Sequence, residues 1–244
     1  MNNPFTATPN DAHTRHALFV EVGLASALAG VAGALNVMSF MIAGVFSANM
    51  TGNVTSLADQ FGGGDAGHGV RYLMIVLLFV AGATFAALTL ELVGSHLRAR
   101  ACIAILVAEA LLLVALDGAD HFASTYRADI MVYGLSFLMG LQNAMAARVS
   151  HARLRTTHVS GTSTDIGVGV GVIIAQLCKR GRLCEAGGEL QDLLLRIATV
   201  GAFCLGGLTA AVIYPYIGER IVILAALVLL GYGVPCLFQY TRVR

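Results

Sequence analysis

The feature that most constrains this chain is an apolar run of thirty residues, 17–46, whose only strongly polar members are Glu21 and Asn36. As one straight helix it would be about 45 Å long, against a hydrocarbon core of about 30 Å. It must tilt, kink or break, and Gly30 and Gly33 ahead of Asn36 predict a break near that residue. Further apolar spans follow at 72–93, 101–116, 130–147, 197–214 and 221–238. Only 12% of the residues are charged and 57% are hydrophobic, where a soluble domain carries about 25% charged residues. A water-soluble globule is thereby excluded. At roughly 30 residues per pass, the 244 residues hold six to eight crossings in one membrane domain, 17–244, behind a polar tail, 1–16. Ala27-Leu28-Ala29 mimics a signal cleavage site, but the apolar run continues to Phe46. The start therefore reads as an uncleaved anchor.

The remaining totals exclude several functions. A net charge of +1 does not suit a nucleic-acid binder. The five cysteines form no C-x-x-C pair and sit mostly in apolar runs, where cysteine acts as a small hydrophobe. No disulfide, metal or cofactor is expected. Gly167, Gly169 and Gly171 alternate, but Val172 stands where a dinucleotide fingerprint needs its third glycine. No nucleophile–base pair is apparent, so an enzyme is not expected.

Two segments break the apolar pattern. One runs from Ser47 to Gln60, the other from His158 to Cys178; both are polar at the start and more apolar afterwards. They belong to a predicted internal repeat. Gly33-Ala34-Leu35-Asn36 matches Gly140-Leu141-Gln142-Asn143, and Thr51-Gly52-Asn53 matches Ser160-Gly161-Thr162. Arg71 with Gly82 matches Arg196 with Gly207 at the same spacing. The halves are 17–117 and 129–240, and repeats of this kind are a common plan of secondary transporters.

The positive-inside rule orients the chain. If the two odd segments do not cross, Arg15, Arg98, Arg100, Arg148, Arg153, Arg155, Lys179, Arg180, Arg182, Arg196, Arg242 and Arg244 lie on the cytoplasmic side. Only Arg71, Arg127 and Arg220 lie outside. If both cross, the charges divide more evenly. The fold expected is therefore an all-α membrane bundle with six full spans, two re-entrant or broken segments, inverted halves and both termini cytoplasmic. Eight spans is the alternative.

The runs Gly44-Val45-Phe46-Ser47-Ala48-Asn49-Met50-Thr51-Gly52-Asn53, Gly140-Leu141-Gln142-Asn143-Ala144 and Arg155-Thr156-Thr157-His158-Val159-Ser160-Gly161-Thr162 resemble the YoaK-type family of bacterial inner-membrane proteins. The resemblance covers nearly the whole chain and implies an inner-membrane location. It implies no activity, because that family has no established one. The family commonly carries an acidic residue at the place of Asn36 and threonine at the place of Ser160. The second difference keeps the hydroxyl; the first removes a carboxylate.

A helix that starts near the midplane presents free N–H groups and the positive end of its dipole. On that ground Asn36, Asn49, Thr51, Gly52 and Asn53, with Gln142, Asn143, Ser160, Gly161 and Thr162, are the expected substrate site between the halves. The expected ligand is a small polar or anionic solute. Glu109, at the centre of an apolar span, and Asp165 are candidates for a coupling proton, since an ionised acid at depth costs roughly 3 kcal/mol. Glu21 and Glu91 lie nearer the span ends. His158, beside the second motif, reads as a cap rather than a metal ligand. The polar stretch 148–157 is expected at the cytoplasmic surface. The alternative to a transporter is a non-transporting scaffold or sensor component. Small residues spaced four apart, such as Gly82 and Ala86, suit close helix packing and leave room for a homo-oligomer.

Overall fold

The computed structural model describes residues 9–118, 126–150, 156–180 and 187–243. The tail at 1–8, Cys184 and the arginines expected on the cytoplasmic side at 153, 155, 182 and 244 lie outside these residues. All regular structure among the described residues is helical: α1 (Pro9–Ala43), α2 (Met50–Gly62), α3 (Ala66–Leu92), α4 (Arg98–Gly118), α5 (Arg127–Val149), α6 (Val159–Arg180), α7 (Gly187–Ile217), α8 (Ile221–Val228) and α9 (Val234–Val243). A π-helical turn, Leu229–Gly233, joins α8 to α9. Every span expected from the sequence is a helix here. The outer surface carries large apolar side chains such as Phe19, Phe85, Leu88, Leu205, Leu208 and Tyr216, as a bundle surrounded by lipid requires.

The predicted break near Asn36 is absent. Helix α1 continues through Asn36 to Ala43, and the chain reverses at Gly44, whose φ is +70°. The Gly44 N–H closes the last turn on Phe40 O at 2.8 Å. Only glycine takes that left-handed conformation cheaply, so the helix stops there rather than at the polar residue. Asn36 has a tertiary task instead, described below.

Side-chain contacts at the helix ends give the direction of each helix. Arg71 Nη1 donates to Ala43 O at 3.1 Å, so α3 starts where α1 ends. Arg71 Nε is 2.7 Å from Asp129 Oδ1 near the start of α5, and Arg148 Nη1 is 2.6 Å from Glu91 Oε1 near the ends of α5 and α3. Helices α3 and α5 are therefore parallel. Arg127 reaches Glu219 at 2.7 Å, which brings the start of α5 to the end of α7. It follows that α1 and α7 run one way and α3 and α5 the other. Helix α5 finishes at the end of the bundle where α7 begins, so α6 leaves from and returns to one end without carrying the chain across.

Two crossings hold the centre together. A Cβ on Gly33 would collide with Phe203 O on α7, and one on Gly206 with Gly30 O on α1. In the other pair, a Cβ on Gly82 would collide with Phe137 O on α5, and one on Gly140 with Phe79 O on α3. Backbones this close exclude every residue but glycine, and close approach of this kind is what drives association where water contributes no hydrophobic force. Around the crossings, Leu24, Leu28, Leu35 and Met38 of α1 bury themselves with Leu106 and Leu113 of α4, Leu135 and Leu138 of α5, and Val222 and Leu229 of the last rod.

Six stretches are long and apolar enough to cross a membrane: Leu18–Ala43, Ala66–Leu92, Arg98–Gly118, Arg127–Val149, Val159–Cys178 and Glu189–Thr241. The last, 53 residues long, contains α7 and the α8–α9 rod, separated by a turn at Gly218 with φ +59°. The fifth is one of the two segments that the sequence reads as re-entrant or broken. Helix α6 has crossing length, yet its apolar window is only 6% buried inside the bundle, against 61% for α1. It lies on the periphery, packed along α7. Helix α2, its counterpart in the first half, has 13 residues, about 20 Å, too short to cross.

Candidate solute site

The site is built by two asparagines that pull chain back into the bundle. Asn36 Oδ1 accepts the N–H of Ala48 at 2.9 Å, two residues before α2 begins. Asn143 Oδ1 accepts the N–H of Thr157 at 3.2 Å, two residues before α6 begins. Asn143 also accepts from Thr156 Oγ1 at 2.9 Å and donates from Nδ2 to Thr157 Oγ1. A buried N–H left unpaired costs about 1–3 kcal/mol, so each asparagine fixes where the following helix starts.

More bonds secure the first-half strand. Ser47 N–H donates to Ser39 Oγ at 2.9 Å, and that hydroxyl reaches Val45 O at 3.0 Å. Asn53 Nδ2 donates to Phe46 O at 2.8 Å. The start of α2 is capped by Asn49, whose Oδ1 accepts the N–H of Gly52 at 3.2 Å; a side chain on Gly52 would strike the Asn49 amide. In the same relative position, the His158 ring sits over Gly161 at the start of α6.

These two helix starts face one cavity of about 620 Å³. Asn36, Asn49, Met50 and Thr51 line it from the first half, and Asn143, Thr157, His158, Val159 and Ser160 from the second. Phe46, Phe79 and Phe203 form apolar walls, with Ala83, Ala144 and Ala147. Phe79 is close to the middle of α3, Ala66–Leu92, so the cavity lies deep in the bundle. It is open rather than sealed: Asn49, Thr51, His158 and Ser160 are exposed in it.

Of the residues expected to form the site, Asn36, Asn49, Thr51, Asn143 and Ser160 are brought together in this cavity. Gly52 and Gly161 lie beneath the capping side chains. Asn53 is a buried pin, and Thr162 Oγ1 bonds back to His158 O at 2.9 Å. Gln142 lies elsewhere: fully buried, it donates from Nε2 to Glu109 Oε1 at 3.0 Å. Glu109 is 0% exposed. Among the described residues, its Oε2 and the Oε1 of Gln142 have no hydrogen-bond partner. Asp165 is exposed and lies 3.7 Å from Arg196, outside the cavity lining. Glu91 pairs with Arg148. Phe79 and Phe203 were not legible as site residues, because an aromatic inside an apolar span carries no mark of what it faces. His158 carried a signal, its place beside the motif. Among the described residues no cluster of His, Cys, Asp or Glu could hold a metal ion.

The family described as "Protein of unknown function (DUF1275)" matches residues 24–234, which takes in both helix starts and every cavity residue. The chain belongs to this family. It is also similar to the UPF0700 transmembrane protein YoaK of Bacillus subtilis (strain 168), with 25% identity over 196 residues. That alignment spans 79% of this chain and 83% of the relative. No solved structure matches the chain. With its apolar helices, this DUF1275 member is a multi-pass membrane protein.

Proposed function

We propose that the protein is a small-molecule secondary transporter of the bacterial inner membrane, with its solute in the cavity between two inverted repeat halves. The observation that carries this reading is the meeting of the α2 and α6 starts, with Thr51 and Ser160, deep in an otherwise apolar bundle. Helix starts at depth are how transporters hold polar or anionic solutes, and non-helical backbone such as 44–49 is tolerated there only where it is buried in protein or lines a cavity.

The repeat is supported by the crossings. Gly30 and Gly33 of α1 stand to Phe137 and Gly140 of α5 at one constant offset. Phe79 and Gly82 of α3 stand to Phe203 and Gly206 of α7 at another. The four collisions at Gly33, Gly82, Gly140 and Gly206 interchange when the halves are exchanged. In this scheme Gly206, rather than Gly207, is the equivalent of Gly82. Because α1 and α5 run in opposite directions, the halves are inverted. The arginine distribution then puts the Arg148 end, and with it both termini, in the cytoplasm.

Glu109 is the coupling residue in this proposal, ahead of Asp165. Gln142, its partner, precedes the cavity residue Asn143 in α5. Two buried oxygens that face no donor leave this pair short of a hydrogen, and a carried proton supplies it.

The test is flux in proteoliposomes containing the purified full chain, screened with radiolabelled small solutes. Thr51→Val with Ser160→Val should abolish uptake and leave membrane insertion intact. Glu109→Gln should lose accumulation driven by a pH gradient while retaining solute binding. A transported solute whose flux is unchanged by the double variant would sink the site. A folded protein that moves none of the solutes would favour the scaffold or sensor reading.

A further inference from the structure

The Asn36 amide has a fixed orientation. Its oxygen is held by the N–H of Ala48, so its NH2 group must be the end left for the cavity that Asn36 lines. No hydrogen bond engages that NH2 among the described residues, although the side chain is only 7% exposed. Its counterpart Asn143 already has its NH2 group engaged, with one of the two hydrogens given to Thr157. That NH2 group is thus a hydrogen-bond donor open to the cavity, which a ligand acceptor can engage.

The other polar groups around it have the same sign. The first N–H groups of α2 and α6 have no intrahelical acceptor, and each helix start carries about half a positive charge. Thr55, Thr162 and Thr164 satisfy their hydroxyls on carbonyls one turn back. Thr51 and Ser160, at the cavity, have no such bond. Among the described residues lining the cavity there is no Asp or Glu to attract a cation and no Lys or Arg to neutralise a second negative charge. The same cavity is lined by Phe46, Phe79 and Phe203.

From this arrangement we infer that the cavity binds a monovalent organic anion, a carboxylate whose head takes the Asn36 NH2 and the helix starts while a compact apolar body lies against the phenylalanines. The inference rests on the reading of this cavity as the solute site and narrows its ligand class. Dipoles alone compensate one charge far better than two, so dianions are disfavoured. Cations meet the positive ends of both helices. The volume is within the usual range for small-molecule pockets, about 300–1,000 Å³, so a body of benzoate size fits with room to spare.

The chain contains no tryptophan, so Phe79→Trp places a single indole reporter in the cavity wall, with Phe203→Trp as the second reporter. The purified full chain in detergent is titrated at pH 7 with sodium benzoate, benzamide, benzylammonium chloride and sodium phosphate. Benzoate should change the tryptophan emission saturably. Benzamide should bind at least tenfold more weakly, and benzylammonium and phosphate should give no saturable change. Asn36→Asp keeps an oxygen for the Ala48 N–H but replaces the donor by a negative atom. It should weaken benzoate at least tenfold; Ser160→Ala, which leaves that anchor untouched and buries no new charge, is the second variant and should weaken it several-fold. Benzamide or benzylammonium binding as tightly as benzoate overturns the anion assignment but leaves a solute site. Phosphate binding as tightly overturns the organic character. Benzoate binding undiminished in both site variants overturns the role of these donors. Silence of both reporters towards every probe overturns this inference and the solute-site reading together.

Discussion

The starts of α2 and α6 are the same device made from different parts. In each, an asparagine on the preceding helix holds the N–H two residues ahead of the next helix, and a side chain covers a glycine in its first turn. In the first half, Asn36 makes one bond through its oxygen, and a second asparagine, Asn49, caps α2. In the second half, Asn143 bonds Thr156 and Thr157 through both ends of its amide, and a histidine stands where Asn49 would be. The second start is the more firmly anchored one. The first keeps a donor to spare. A symmetric frame thus carries an asymmetric site, with free hydrogen-bonding capacity concentrated on the α1 side of the cavity.

The largest expected effect tests the frame itself. Gly33→Ala and Gly140→Ala each drive a methyl into a facing carbonyl and should destabilise by about 1–3 kcal/mol. The two should be alike in thermal unfolding in detergent. Gly171→Ala, which meets nothing within 4 Å, should leave the midpoint unchanged. Clearly unequal costs at Gly33 and Gly140 would break the equivalence of the crossings.

Next come the anchors. Asn143→Ala strands the Thr157 N–H and two hydroxyl contacts, and Asn36→Ala strands the Ala48 N–H alone. Both should cost about 1–3 kcal/mol, with Asn143→Ala the greater. The reverse order in chemical unfolding would contradict the contrast between the two starts. A smaller effect separates the caps. Asn49→Ala should lose about 1 kcal/mol, while His158→Ala, whose ring accepts no N–H of α6, should lose far less. Hydrogen exchange at the first turn of each helix reads this directly.

The smallest effect is at the rim. Asp65 caps α3, accepting the His68 N–H at 3.1 Å and lying 2.8 Å from its ring. These bonds, the backbone one first, hold its carboxyl below the ordinary range. Because the folded value is the lower one, the contribution is present above the ordinary carboxylate pKa and fades as pH falls through the folded value. Exchange at the start of α3 should quicken relative to its centre only in that acidic window, and Asp65→Ala should remove the pH dependence. The exposed position keeps the effect small.

How much of this was legible follows from what each residue does. The apolar runs located six helices because a lipid-exposed helix must be apolar along its length, and the arginines indicated which ends lie together. The Thr51-Gly52-Asn53 and Ser160-Gly161-Thr162 motifs located both helix starts, because a first turn covered by a neighbouring side chain needs a glycine beneath it. The end of α1 was misread at Asn36. A polar residue in an apolar run looks like a break, and only the fold shows that its amide is bonded to chain arriving from twelve residues later. Gln142 was placed with the solute site for the same reason. Neighbouring positions on α5 face different ways, so Gln142 meets Glu109 while Asn143 meets the cavity.

The sequence by itself determined a helical membrane protein, its spans and the polar motifs that interrupt them, because composition and periodicity act locally along the chain. Only the tertiary structure decided that α6, though long enough to cross, returns to the end it came from, and that both helix starts open on one cavity. Those outcomes depend on ion pairs between distant helix ends and on backbones that touch at four glycines, relations between residues far apart in sequence that no local pattern encodes.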